Sequence, residues 1–504
     1  MNRRDFLRNT ITAIGGIALG MEALAADKGK AKLTGKKPNI VLIMSDDQGW
    51  GETSYNGHPH LKTPVLDEMA SSGLRLDRFY AASPVCSPTR ASCMTGRHAN
   101  RSGAFGAGWS TRPEEVTIAQ ILKEAGYRTA HYGKWHIGAV KKESPLSPNS
   151  MGFDECLSHD NFFEMDSELS RNGGPPESFV GDGSEVIVDE ALKFARKVVK
   201  EEKPFFIVIW FGSPHDPYSG YEKDVAPFKG LGDEIARRFA EITAMDRAIG
   251  TFRNGLDEMK VRGNTSLWFN SDNGVTIEGI PEDQRQHLYN GGLRGHKSQL
   301  YEGGVLVPGI IEWPGVIATP RVSKVPCVTS DILPTLIDIV GVDYPRPGRP
   351  LDGISLKRLI VEGIMDKRPR PIGFWGYDHK AERKNKPWLE DVSPNEMITL
   401  TARQKARPRN RRNSRKPAFS NHKHPEMVPE NFRIGAAWVT DRYKLLMPRA
   451  RGNKEQIPEL YDLEKDREEK NNIASQHPEI VKAMRAELLE WQESVERSLT
   501  GADY

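Results

Sequence analysis

The sequence predicts an α/β fold: a large mixed, mostly parallel sheet flanked by helices, followed by a smaller C-terminal α+β domain with a short antiparallel sheet. Two observations carry the first part. Three short apolar runs lack the alternation of half-exposed strands, as strands buried on both faces do. Helix-like segments such as Thr117 to Ala125 and Ile235 to Met259 lie between those runs, the order expected of a parallel sheet. A third observation, a change of composition near Pro371, marks the second part.

Taken in order, the chain opens with Arg3-Arg4-Asp5-Phe6-Leu7-Arg8, an apolar run from Ile11 to Leu19, and Ala23-Leu24-Ala25. A charged head, a short hydrophobic stretch and a small-residue cleavage site make residues 1–25 a signal peptide. The paired arginines resemble a twin-arginine signal, which implies bacterial export of a folded protein through that machinery to the periplasm or beyond. No later run has the length of a membrane span, so stable membrane insertion is not expected.

The first buried strand, Asn39 to Met44, ends in Ser45-Asp46-Asp47-Gln48-Gly49. The second, Phe205 to Phe211, ends in Gly212-Ser213-Pro214-His215-Asp216, and the third, Ser266 to Phe269, in Asn270-Ser271-Asp272-Asn273-Gly274. Between the first two, Cys86-Ser87-Pro88-Thr89-Arg90 through Thr95-Gly96-Arg97 reads as a short helix. Ser87 is a fair N-cap, Pro88 a fair first helical residue and Gly96 a fair terminator. Val305 to Ile311 supplies further strands of the same domain, and Ser330 is a plausible cap for the helix running through Leu336. The α/β domain is placed at residues 37–370 and the C-terminal domain at 371–504. The latter carries a basic insertion, 401–424, with nine Lys or Arg and no acid. Two strands, Phe432 to Val439 and Tyr443 to Met447, and a helix from Pro478 to Glu496 complete it.

Composition narrows the functional classes. A formal charge of +3 over 504 residues does not indicate a globally basic nucleic-acid binder. The four cysteines, Cys86, Cys93, Cys156 and Cys327, have no zinc-ligand spacing and make no disulfide scaffold.

In open α/β sheets, sites form past the carboxyl ends of the strands. One Asp-Asp there is usually a turn, but three such ends carrying Asp46, Asp47, His215, Asp272 and Asn273 are harder to dismiss. Asp46, Asp47, Asp272 and Asn273 are hard oxygen ligands suited to Ca²⁺ or Mg²⁺ and not to a soft metal. Arg90, Lys134 and Lys297 can hold a tetrahedral oxyanion beside such an ion, and histidines can move protons around it. The residues alone therefore point to hydrolysis of an anionic ester.

Cys86-x-Pro88-x-Arg90 with Thr95-Gly96-Arg97 resembles the signature of the type I, formylglycine-dependent sulfatases, an arylsulfatase-like family of the alkaline phosphatase superfamily. Asp46-Asp47-Gln48-Gly49, Gly133-Lys134-Trp135-His136, Ser271-Asp272-Asn273-Gly274 and Gly295-His296-Lys297 through Glu302-Gly303-Gly304 match its other motifs in order. Glu459-Leu460-Tyr461-Asp462-Leu463 through Asn472 resembles its C-terminal module, so the likeness spans roughly residues 37 to 475. The basic insertion departs from it.

The resemblance implies that a separate maturation enzyme oxidises Cys86 to formylglycine, whose hydrate is the nucleophile and also a metal ligand. It implies that Asp272 receives the attacking proton, His215 protonates the leaving alcohol and Lys297 neutralises the bridging oxygen. His136 then helps the second hydroxyl expel sulfate, while Arg90 holds the hydrate and Lys134 contacts it or the sulfate. The expected substrate is a sulfated polysaccharide or oligosaccharide, or an aryl sulfate. Two other readings stay open: a phosphate or phosphonate ester hydrolase of the same superfamily, and a non-catalytic binder of sulfated glycans.

Overall fold

A computed structural model describes residues 35–377, 424, 425, 427, 429–450 and 455–504. The expected signal peptide and nearly all of the basic insertion lie outside the described residues. The first buried strand forms as β1 (Asn39–Ser45), followed by β2 (Arg128–Lys134), β3 (Phe205–Trp210) and β4 (Thr265–Ser271). These lie in the order β4-β1-β3-β2 at the centre of a ten-stranded sheet, every neighbouring pair parallel. Glu155–His159 extends the parallel set beside β2. Beyond it Glu168–Arg171 and Pro176–Ser178 pair antiparallel, and at the other edge Gly309–Glu312 runs antiparallel to β4. The sheet is thus parallel where strands are buried on both faces and mostly antiparallel outside that centre, although the outermost pair at one edge, Arg321–Ser323 with Leu74–Leu76, is again parallel.

Alternate side chains explain the uninterrupted apolar runs. Ile40, Leu42 and Met44 of β1 join Phe206, Val208 and Trp210 of β3 in one core layer. Val41 and Ile43 join Ile207 and Ile209 in the layer on the opposite face. Helices α1 (Cys86–Thr95), α2 (Ile118–Glu124) and α5 (Ile332–Val340) cover the first face. Helices α3 (Gly183–Lys200) and α4 (Asp233–Glu258) cover the second.

Several local expectations hold and two change. Thr117 caps α2 through a reciprocal capping box with Gln120, and Gly96 ends α1 in the left-handed conformation, φ 68°. The N-cap of α1, however, is Val85, and the helix already includes Cys86. Ser87 lies one residue inside, its hydroxyl accepting from the Gly108 N–H at 3.1 Å, so Pro88 is the third helical residue and not the first. Likewise Asp331, and not Ser330, is the residue at the N-cap of α5, and its side chain accepts from the Val328 N–H at 2.8 Å, across the 3-10 turn Thr329–Asp331 that leads into the helix.

Leu306–Val307 leaves the large sheet for a three-stranded one with Phe79–Tyr80 and Cys327–Val328. The smaller C-terminal domain has a four-stranded antiparallel sheet, β5 (Ile372–Trp375), β6 (Ala436–Val439), β7 (Tyr443–Met447) and β8 (Glu459–Asp462). One face of that sheet packs on Tyr80, Leu306 and Val328 of the α/β part. Its other face packs on Met484, Leu488 and Val495 of the terminal helix α6 (Pro478–Leu499).

Candidate active site

The strand order decides which loops meet. Because β1 lies between β4 and β3, the segments leaving all three emerge side by side at their carboxyl ends. Asp46 and Asp47 follow β1, Asp272 and Asn273 follow β4, and His215 follows β3. Lys134 is the last residue of β2, one strand further on. Helix α1 sets its first turn against this edge, carrying Cys86 and Arg90. Lys297 arrives from a long loop whose backbone is tied by the Lys297 N–H to the Val275 carbonyl at 2.8 Å.

The buried charges interlock. Lys134 Nζ donates to Asp46 Oδ2 at 2.6 Å and Lys297 Nζ to Asp47 Oδ2 at 2.7 Å. Arg90 grips one oxygen of Asp272 with Nε at 3.1 Å and Nη2 at 2.7 Å, and its guanidinium lies 5.1 Å from the centre of the Trp210 ring. The Asp47 N–H donates to the other Asp272 oxygen at 3.0 Å. Asn273 Nδ2 donates to Asp47 Oδ1 at 2.8 Å. Three carboxylates thus face three cationic side chains in a water-poor setting. Burial opposes ionisation of Asp47, yet Lys297, then His215 and Lys134, outweigh it and hold that carboxyl well below the usual range. For Asp272 burial, reinforced by Asp46, prevails over Arg90 and pushes it up to about 6.

The two histidines differ in role-relevant detail. His215 donates from Nδ1 to the Asp216 carbonyl at 2.7 Å, which leaves Nε2 as the proton-exchanging atom. That atom lies 3.4 Å from Lys297 Nζ and 3.7 Å from Asp47 Oδ2. Phe162 stacks on the ring at 4.3 Å and 12°. Burial pulls His215 down to about 4 against the pull of Asp47. His136, in a left-handed backbone conformation with φ 57°, is buried beside the same cations. Burial first, then Lys134 and Arg90, drive it well below its ordinary value, so it is neutral and able to accept a proton.

Cys86 is only 2% exposed, and burial pushes its thiol up against the opposing charges of Lys134 and Lys297. At neutral pH it is a thiol and not a thiolate. All four cysteines are free. Every residue singled out from the sequence therefore comes to this one edge of the sheet.

The profile of the sulfatase family matches residues 38–342. The chain belongs to the sulfatase family. Over 365 residues this sulfatase is 31% identical to the N-acetylgalactosamine-6-sulfatase of Sus scrofa, covering 66% of this chain and 67% of the relative. It is 30% identical over 385 residues to the ulvan-active sulfatase of Formosa agariphila, covering 69% and 71%. The crystal structure of Ps i-CgsB superposes with a TM-score of 0.73 at 22% identity, over 92% of this chain and 94% of the other, which establishes the shared fold. The protein is a sulfuric ester hydrolase.

Sequence reading of the sulfatase missed the residues that hold the site in place. Phe162 carried no signal, since a lone aromatic after a strand is ordinary core material. Glu52 and Arg238, both fully buried, form an ion pair beneath the Asp47 loop. Arg238 did leave a trace: it falls on the stripe of α4 that includes Ile235, Ile242 and Met245, where an unpaired cation is too costly to bury.

Proposed function

We propose that this sulfatase removes sulfate from a sulfated carbohydrate, using a nucleophile derived from Cys86 and one divalent cation, with Ca²⁺ favoured over Mg²⁺. The observation that carries the reading is the placement of a buried, un-ionised Cys86 at the start of α1, among Lys134, Lys297, Asp272 and Asp46. A sulfhydryl in that state is a poor nucleophile, whereas its conversion to formylglycine by a maturation enzyme would place a geminal diol there.

The donor set suits a hard cation. Asp46, Asp47 and His215 each bring a ligand atom within 4.8 Å of the others. Asp46 Oδ1 and Asn273 Oδ1 are buried acceptors without a hydrogen-bond partner, the kind of atom an ion satisfies. Asp46, Asp47, Asp272 and Asn273 would hold the cation together with the modified Cys86, and it would act as a Lewis acid on the sulfate group. With three carboxylates already offset by Arg90, Lys134 and Lys297, its charge leaves the site net positive for an anionic ester.

The chain's own groups then divide the proton work. Arg90 fixes Asp272 and the start of α1, and Asp272 takes the proton from the attacking hydroxyl. His215, aimed through Nε2 by its Asp216 contact and by Phe162, gives the Nε2 proton of its imidazolium form to the departing sugar oxygen. Lys297, 3.4 Å from that nitrogen, stabilises the negative charge on the same oxygen. Neutral His136 accepts the proton whose loss expels sulfate. Lys134 orients the sulfate oxygens.

The carbohydrate preference is supported by the names of the two relatives and by the expected export of this chain. The deciding experiment pairs mass spectrometry of the Cys86 peptide with initial rates on matched aryl sulfate and aryl phosphate. Formylglycine with a strong sulfate preference is expected. Phosphate preference would move the chain to the alternative hydrolase, and full conversion without turnover would make it a glycan binder.

A further inference from the structure

We infer that Arg238, on the buried face of α4, is a positioning residue that fixes Asp47 and His215 relative to one another. All five of its N–H donors are used. Nε donates to Glu52 Oε1 at 2.7 Å, and Nη2 donates to Glu52 Oε2 at 2.6 Å and to the Asp47 carbonyl at 2.8 Å. Nη1 donates to the Pro214 carbonyl at 2.7 Å and to the Tyr218 hydroxyl at 3.3 Å. One planar cation therefore clamps the loop after β1 to the loop after β3, a task the point charge of a lysine cannot perform.

The clamp acts where the backbone needs it. Asp47 has φ 69°, a left-handed conformation that a non-glycine residue keeps only when its surroundings over-determine it. Its N–H is held by Asp272 and its carbonyl by Arg238, so the carboxyl between them has a fixed direction. Glu52 closes the same loop by accepting from the Gly49 N–H at 2.8 Å, while Gln48 Nε2 donates to the Glu52 carbonyl at 2.7 Å. On the other loop, Pro214 immediately precedes His215. A buried ion pair contributes little net stability compared with apolar residues of the same volume, so stability alone is a weak reason for this one.

The inference rests on the proposed roles of Asp47 and His215, and the test keeps those separable. Arg238→Lys and the near-isosteric Glu52→Gln are compared with the parent after correction for folded fraction. Two quantities are read: the calcium concentration that half-maximally raises Tm in purified protein, and the ratio of kcat/KM on an alkyl sulfate to that on an activated aryl sulfate. A loosened clamp is expected to shift the calcium midpoint upward by about 10–100-fold and to lower the ratio by about tenfold. The second variant decides if Arg238→Lys does not fold, since it retains both the shape and the arginine. A lower Tm with both quantities unchanged in a folded variant overturns the inference and leaves a merely structural pair. His215→Ala serves as the reference. If it shows no leaving-group dependence, the acid assignment fails while the calcium midpoint still judges Arg238.

Discussion

At Cys86 the burial that keeps the thiol protonated also surrounds it with the charges that a tetrahedral anion would need, so the position is better suited to a different functional group than to its own. Cys86→Ala is expected to abolish sulfate release while leaving far-UV circular dichroism and Tm near those of the parent. Near-normal release by that variant would rule out the proposed nucleophile. At His215 the Nδ1–H is committed to a carbonyl and Nε2 faces Lys297 and Asp47, so the proposed acid role predicts a leaving-group signature. His215→Ala should cost about 10²-fold or more on sugar or alkyl sulfates, whose alcohols leave poorly, and much less on activated phenyl sulfates. Steady-state kinetics on a graded series of leaving groups checks this. These groups were legible in the sequence because each sits in a short motif whose residue types are chemically unusual together. Glu52, Arg238 and Phe162 were not, because each acts through a partner far away in the chain.

At the scale of elements, the carboxyl ends of β1, β3 and β4 were readable from apolar runs that stop abruptly at Asp46, His215 and Asp272. The boundaries were less so: Ser87 looked like a cap, but Val85 holds that place and the Ser87 hydroxyl accepts instead from the Gly108 N–H of a later segment. Glycine contacts supply the clearest element-level test. A Cβ on Gly274 would meet the Gly303 carbonyl oxygen at 2.0 Å, and the Gly274 N–H donates to the Gly304 carbonyl at 3.0 Å. Gly274→Ala must therefore push apart the loop bearing Asn273 and the segment following Lys297. A loss of turnover of at least about tenfold is expected from misplacement on the order of an ångström. A second element-level feature joins the two parts of the molecule. Lys444 of β7, fully buried, reaches Glu302 and Glu469, each at 2.9 Å. Lys444→Met leaves two buried carboxylates without their cation and is expected to cost about 3–5 kcal/mol, read from urea denaturation.

For the whole molecule, the pH dependence of stability follows from buried imidazoles outside the site. His58 accepts on Nδ1 from the His60 and Leu61 N–H groups, and His98 accepts from the Asn100 N–H. Burial pulls both down to about 4. Between the ordinary value near 6.5 and about 4, the unfolded chain binds protons that the folded chain does not. Their contribution is therefore complete above pH 6.5 and is lost as pH falls through 4, by up to about 1.4 kcal/mol per unit for each. Asp246, pushed up to about 6 by burial, acts with the opposite sign, so the measurement is a difference. The pH profile of unfolding free energy should flatten in His58→Asn and His98→Asn relative to the parent. At this scale the layer order was legible from strand and helix alternation. The antiparallel edges were not, because strands of three or four residues such as Pro176–Ser178 carry too little pattern.

The near-complete enclosure of Cys86 also imposes a sequence in time. On the proposed reading, a maturation enzyme would have to reach that sulfur before α1 closes over it, since the folded chain leaves Cys86 only 2% exposed. A protein carried across a membrane already folded has closed that window on the inner side. For this chain, then, the proposed conversion of Cys86 would belong to the interval of synthesis and folding. On that proposal, the nucleophile of an exported copy would be made before the membrane is crossed.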